Sequence, residues 1–242
     1  MIDSKDIQEE WTISEICEKY VPESWEEVFK NSKNEFNDAS KILVEQEKKY
    51  GKFFPLKKNL FRAFELTRLE DVRVVIFGQD PYYTLAKNGE PVAQGISFSV
   101  DRNDTVPGSL KNIYTEIKNN YPEFRIPSHG DLTAWTKQGV LLCNTCLTVN
   151  PGVPGSHGEI WIGFIKRVIE VIVSKNKNTI FVLWGNHAKK MDKFINGRCK
   201  TLFGVHPSPR SAKMGFFGCN HFKQINELLT SFKTPPIDWN LD

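Results

Sequence analysis

VRVVIFGQDPYY, residues 72–83, is an apolar run that breaks at Gly78 and then delivers an amide, an acid and two tyrosines in succession. A short run of mostly β-branched residues without polar alternation, bounded by Gly and Pro, predicts a strand buried on both faces, as in a parallel sheet covered by helices. Gln79 and Asp80 fall just past its carboxyl end. In open α/β sheets ligands bind at that edge, because the loops leaving the strands converge there. Asp-Pro is also ordinary turn punctuation, so this segment alone leaves a binding site and a plain strand-to-turn junction both open.

Outward from this stretch the same pattern returns. GVLLCNT (Gly139–Thr145), TIFVLWG (Thr179–Gly185) and KTLFGVHPSP (Lys200–Pro209) are further apolar runs broken by Gly or Pro. Helical stripes separate them. Glu159–Ser174 carries Ile160, Trp161, Phe164, Ile165, Val168 and Ile172 at helical spacing and reads as a crossover helix, and Asn220–Phe232 is amphipathic. Strand and helix in alternation imply parallel pairing with right-handed crossovers, hence a three-layer α/β/α sandwich around a central four-stranded parallel sheet. Upstream, a helix is expected over Ser4–Glu18. Ser24 is a candidate N-cap with Glu27 as its capping-box partner, opening a long helix that Gly51 ends.

Each strand end then offers polar groups to one edge. Asn144 stands in an apolar run, where an unbonded buried amide costs about 1–3 kcal/mol, so it either bonds neighbouring backbone or is held for a ligand with a matching edge. Phe98, in GISFSV, suits stacking on a flat ring or packing at a short strand. Ser109 opens a helix, with unpaired N–H groups that suit an anion and also mark any helix start.

A chain of 242 residues, 40% hydrophobic and 12% aromatic, suits one large domain. Five cysteines do not form an even disulfide set, and a reducing, intracellular location follows, whether cytoplasm, nucleus or a viral compartment. Cys143 and Cys146 have ligand-like spacing but no second pair, and read as buried structural thiols. No secretion signal or membrane-spanning run is expected. Net charge is only +3, yet Lys189, Lys190, Lys193, Arg198, Lys200, Arg210 and Lys213 face only Asp192 in residues 186–214, which suits either a phosphate-binding face or an ordinary solvated one.

From about Trp25 to Trp239 the chain resembles the uracil-DNA glycosylases of the common, metal-free family (family 1). The resemblance rests on GQDPYY at 78–83, GISFSV at 95–100, SLKNIY at 109–114, HGDL and WTKQGVLLCNTCLTV within 129–149, WGNHAKK at 184–190, HPSPRS at 206–211 and GFFGCNHF at 215–222. It implies a catalytic domain over residues 23–242, with 1–22 a peripheral N-terminal helical segment. It also implies hydrolysis of the N-glycosidic bond of a flipped-out uracil in base excision repair. Asp80 stabilises the sugar cation and positions water, and His206 donates to uracil O2. Asn144 reads O4 and N3, Phe98 stacks, Gln79 meets the ring, and Tyr82 crowds C5 against thymine. Tyr83, Ser109, Gly185, Asn186, Ser208, Arg210 and Ser211 contact DNA. No cofactor or metal is implied. The implied partners are single- and double-stranded uracil-containing DNA and a proteinaceous glycosylase inhibitor, with the chain itself a monomer.

Tyr83, Gly108, Asn186 and Arg210 depart from the family pattern of His, Pro, Ser and Leu. Tyr83 cannot become cationic near neutral pH, and Gly108 is expected to loosen the loop before Ser109. Because several DNA-gripping positions change, a non-catalytic DNA-binding or polymerase-accessory protein on the same fold is the alternative; Asp80, Asn144 and His206 argue against it.

Overall fold

The computed structural model describes residues 2–242. Four strands, β1 (Val74–Gly78), β2 (Val140–Asn144), β3 (Ile180–Trp184) and β4 (Lys200–Gly204), form one parallel sheet in the order β2-β1-β3-β4. The helices are α1 (Ile13–Lys19), α2 (Glu26–Asn31), α3 (Lys33–Tyr50), α4 (Arg62–Leu66), α5 (Gly108–Asn120), α6 (Thr133–Thr136), α7 (Ile162–Lys175), α8 (Gly185–Lys189), α9 (Asp192–Ile195) and α10 (His221–Ser231).

Because side chains alternate along a strand, the sheet divides the core in two. Val75, Phe77, Leu141, Cys143, Phe181 and Leu183 join the cluster with α1–α4 and α7, while Val74, Ile76, Val140, Leu142, Val182 and Trp184 join the one with α5, α6 and α10. Every residue of β1, β2 and β3 is buried, which is why those runs lack alternation. The edge strand β4 is the exception, with Phe203 51% exposed. Among the described residues no helix is long and apolar enough to cross a membrane.

Several local expectations are corrected. The first helix is broken: a 3-10 turn at Ser4–Asp6 precedes α1, which starts at a capping box in which Thr12 Oγ1 accepts from Glu15 N and the Glu15 carboxylate accepts from Thr12 N. Ser24 caps no helix; its hydroxyl accepts from Leu69 N at 2.9 Å, tying two segments together. The long helix divides at Ser32, whose hydroxyl back-bonds to Val28 O at 2.7 Å. GISFSV forms a turn, not a strand.

Candidate active site

The carboxyl ends of β1 and β2, with the segments leaving them, enclose a cavity of about 180 Å³ lined by Gln79, Asp80, Tyr82, Tyr83, Phe98, Ser109, Asn144 and His206 among others. Sheet register sets it up, since Gly78 lies directly beside Asn144. A Cβ at position 78 would stand 2.2 Å from Asn144 Oδ1, so the missing side chain leaves the space the amide occupies. Asn144 is only 9% exposed, and among the described residues nothing bonds its side-chain amide. Of the two expectations for this residue, the geometry matches an amide kept free toward the cavity.

Asp80 accepts from Gly155 N at 2.7 Å through Oδ2. Burial pushes its carboxyl above the usual range, partly opposed by that N–H and by His187. His206 accepts the Ser208 N–H on Nδ1 at 3.0 Å, so a neutral ring carries its proton on Nε2. Burial and the nearby His187 hold its pKa below the ordinary value, which favours that neutral form. The turn beneath is knotted: Ser208 and Ser211 hydroxyls share a 2.8 Å bond, and Ser211 donates to His206 O at 2.8 Å. Gly185, at φ +83, leaves room for this ring, since a Cβ there would lie 2.9 Å from His206 Cβ.

Phe98 is a bulky residue at φ +64, a conformation that costs on the order of 1–3 kcal/mol and persists only when neighbours fix it. They do so from three sides. Tyr82 donates its hydroxyl to Phe98 O at 3.0 Å, and Ser99 Oγ donates to Gly130 O and accepts from Leu132 N. Trp184 meets the ring edge-on at 5.8 Å. Phe98 therefore both lines the cavity and belongs to the core.

Ser109 sits in the first turn of α5 and Tyr83 at the mouth, 40% exposed. Asn186 and Arg210 are exposed and do not line the cavity. Gly108, expected to loosen its loop, is packed against a neighbouring turn. Its vacant side is filled by Pro209, whose Cγ would lie 2.6 Å from a Cβ, and Asn112 donates to Pro207 O at 2.8 Å, so this loop and the HPSPRS turn interlock. The basic run is not one face: Lys200 begins β4 and lines a groove with Lys177 and Arg198 at the amino edge of the sheet, away from the cavity, whereas Arg210 follows the carboxyl end. Among the described residues no group of three or more His, Cys, Asp or Glu could hold a metal ion. Cys143 and Cys146 are buried, with thiols donating to backbone carbonyls.

Sequence reasoning missed Gly155 and His187. Gly155 sits in a Gly/Pro-rich loop 75 residues from Asp80, and nothing in such a loop says which N–H will meet which carboxylate. His187 adjoins Asn186 in the WGNHAKK motif, and its place near both Asp80 and His206 appears only once β3 and β4 are paired.

The parallel sheet thus brings an amide, an aromatic ring, a carboxylate and an imidazole around one small cavity at its carboxyl edge, the place where open α/β folds bind their ligands. The model of the Uracil DNA glycosylase superfamily matches residues 64–230. The uracil-DNA glycosylase of Shewanella oneidensis is 45% identical over 82% of this chain and 90% of its own, and that of Proteus mirabilis 43% over 92% and 98%. Among solved structures, mimivirus uracil-DNA glycosylase superposes with a TM-score of 0.87 at 29% identity, covering 100% of this chain and 97% of that one. A variant of the mimivirus enzyme in complex with UGI aligns with a TM-score of 0.85 at 30% identity, over 99% and 98%. The chain belongs to the uracil-DNA glycosylase superfamily, and its activity is that of a uracil-DNA glycosylase, a hydrolase of base excision repair.

Proposed function

We propose that this chain flips uracil out of single- and double-stranded DNA into the cavity beneath Tyr83 and hydrolyses its N-glycosidic bond with Asp80 and His206. The observation that carries this reading is the convergence of Asn144, Asp80, Phe98 and His206 on one cavity from four separate segments of the chain. Asn144 offers Nδ2 to O4 and Oδ1 to N3–H, and Phe98 covers the ring face. As the bond breaks, positive charge grows on the sugar and negative charge on O2. Asp80 complements the first and orients water, and the His206 Nε2–H complements the second. Ser109, Gly185, Asn186, Ser208 and Ser211 hold the phosphates. Residues 23–242 carry all of these groups, and the preceding segment braces α3. A proteinaceous inhibitor of the UGI kind would occupy the same DNA-binding mouth. The direct test is a uracil-containing oligonucleotide scored for alkali-labile abasic sites; binding without base release would defeat the residue assignments.

Tyr82 walls the cavity and is half-buried. Tyr82→Ala is expected to admit a C5 methyl and release thymine at a measurable rate, read from a thymine-containing oligonucleotide. Preserved uracil release with no thymine product would place the exclusion elsewhere.

Arg210 is exposed on a turn whose Pro209 packs against Gly108. We propose that it fills the gap left by the flipped nucleotide, its apolar stem entering the stack and its guanidinium reaching phosphate or the orphaned base. Arg210→Ala should slow release from duplex much more than from single strands. Arg210→Leu should recover most of the duplex loss while reducing the salt slope of binding by about one phosphate contact. Equal losses on both substrates, unrepaired by Leu, would leave Arg210 a surface charge.

A further inference from the structure

The loop Asn150–His157 lies across the GQDPY stretch and clamps it twice. Gly152 N–H donates to Tyr83 O at 2.8 Å, and Gly155 N–H donates to Asp80 Oδ2 at 2.7 Å. Both glycines sit at φ +74 with nothing within 4 Å of a Cβ, so backbone conformation rather than space requires them. Such a loop needs an anchor, and the anchor is buried at its end.

His157 is 1% exposed and bonded through both ring nitrogens: Nδ1 lies 2.9 Å from Thr148 Oγ1 and Nε2 lies 3.1 Å from Asn150 Oδ1. Asn150 Oδ1 can only accept, so Nε2 carries the proton and Nδ1 accepts from the Thr148 hydroxyl. That hydroxyl in turn accepts from Trp161 Nε1 at 2.7 Å, and Asn150 Nδ2 donates to Gln46 Oε1 at 2.9 Å. The hydrogen bonds run one way, from Trp161 just before α7, through the two ends of the loop, to α3. Burial lowers the ring's pKa to about 4, so these directions persist through neutral pH.

We propose that His157 is a positioning residue for the hydrolysis: by locking Thr148 and Asn150 it holds the loop so that the Gly155 N–H aims the Asp80 carboxylate. The inference rests on the role given to Asp80 above. The loop itself has no charged residue between Asn150 and Ser156. The other titratable groups facing Asp80 are His187 on α8 and the Cys146 thiol after β2, and neither belongs to the loop.

The test is single-turnover and steady-state release from a uracil oligonucleotide by His157→Phe, which keeps a ring but neither bond, and by Thr148→Val, which removes the shared hydroxyl. Expected are a fall in kcat of about 10- to 100-fold, the cost of a misplaced reacting group, and little change in KM. The acid limb of kcat/KM should move to higher pH, because Asp80 loses an N–H that favours its ionised form. Thr148→Ser should restore the rate, and in an Asp80→Asn background His157→Phe should cost little more, since both act through one carboxylate. Unchanged kcat and acid limb in folded Thr148→Val, with only a lower Tm, would overturn the inference. Near-normal release by Asp80→Asn alone would overturn the reading of Asp80, and this inference with it.

Discussion

Asp80→Asn is expected to lower the rate of uracil release by about 100- to 1,000-fold, with DNA binding and folding nearly unchanged, and His206→Leu to do the same. Both groups answer charge that exists mainly in the transition state, so their loss should appear in kcat rather than KM. Asp80→Asn keeps the shape and can still accept from Gly155 N, whose 2.7 Å bond holds the carboxylate now. What it removes is the negative charge under the sugar. The pH profile gives an independent check. Burial raises the Asp80 pKa, so the carboxylate form is lost on the acid side at a pH above the usual carboxylate range, and kcat/KM should begin to fall there. His206 titrates in the opposite sense: its pKa is depressed, so the ring stays neutral to below the ordinary histidine value. Protonation would turn Nδ1 from an acceptor of the Ser208 N–H into a competing donor and disturb the turn that aims Nε2. Near-normal release by either variant, in single-turnover assays, would remove that residue from the mechanism.

These assignments combine features read from sequence with others that only folding reveals. Unbroken apolar runs gave away β1, β2 and β3 because a strand buried on both faces has no polar alternation to hide it. The polar residues just past their ends were legible for the same reason. Helix starts were less so. Ser24 with Glu27 and Thr12 with Glu15 have the same local pattern, and tertiary contact decided between them by giving the Ser24 hydroxyl to Leu69 N. That Phe98 stands in a turn was not legible, because its positive φ is imposed from outside, by Tyr82 and by buried Ser99. The basic run from Lys189 to Lys213 is continuous in sequence but crosses the whole sheet in space, which separates Lys200 from Arg210. Gly108 is a further case: a loop glycine reads as freedom, and here Pro209 occupies the space it leaves.

Asn144→Asp should lower uracil release by orders of magnitude while creating measurable release of cytosine. Of the amides that line the cavity, Asn144 is 9% exposed and, among the described residues, has no side-chain hydrogen bond, and a buried edge of this kind discriminates by leaving a mismatched ligand unpaired, a penalty of about 10⁴-fold in rate. Uracil presents an acceptor at O4 and a donor at N3–H, which the Asn amide complements. Cytosine presents a donor at N4 and an acceptor at N3, so Asn would set donor against donor and acceptor against acceptor. A carboxyl group at this position, buried beside the end of β1, has its pKa raised by desolvation and can hold a proton. Protonated, it accepts from N4 and donates to N3, which is the cytosine pattern. Ionised, it sets an acceptor against uracil O4, so cytosine release should grow and uracil selectivity should fall as pH is lowered through that pKa. Gly78→Ala is the companion variant. It leaves the amide in the sequence but puts a methyl 2.2 Å from the present position of Asn144 Oδ1, so the amide must turn away. It should therefore weaken uracil release severely without any gain for cytosine. The measurement is release of both bases from matched oligonucleotides across pH for the two variants. Unchanged base preference in Asn144→Asp, or normal uracil release in folded Gly78→Ala, would take the reading edge away from this amide.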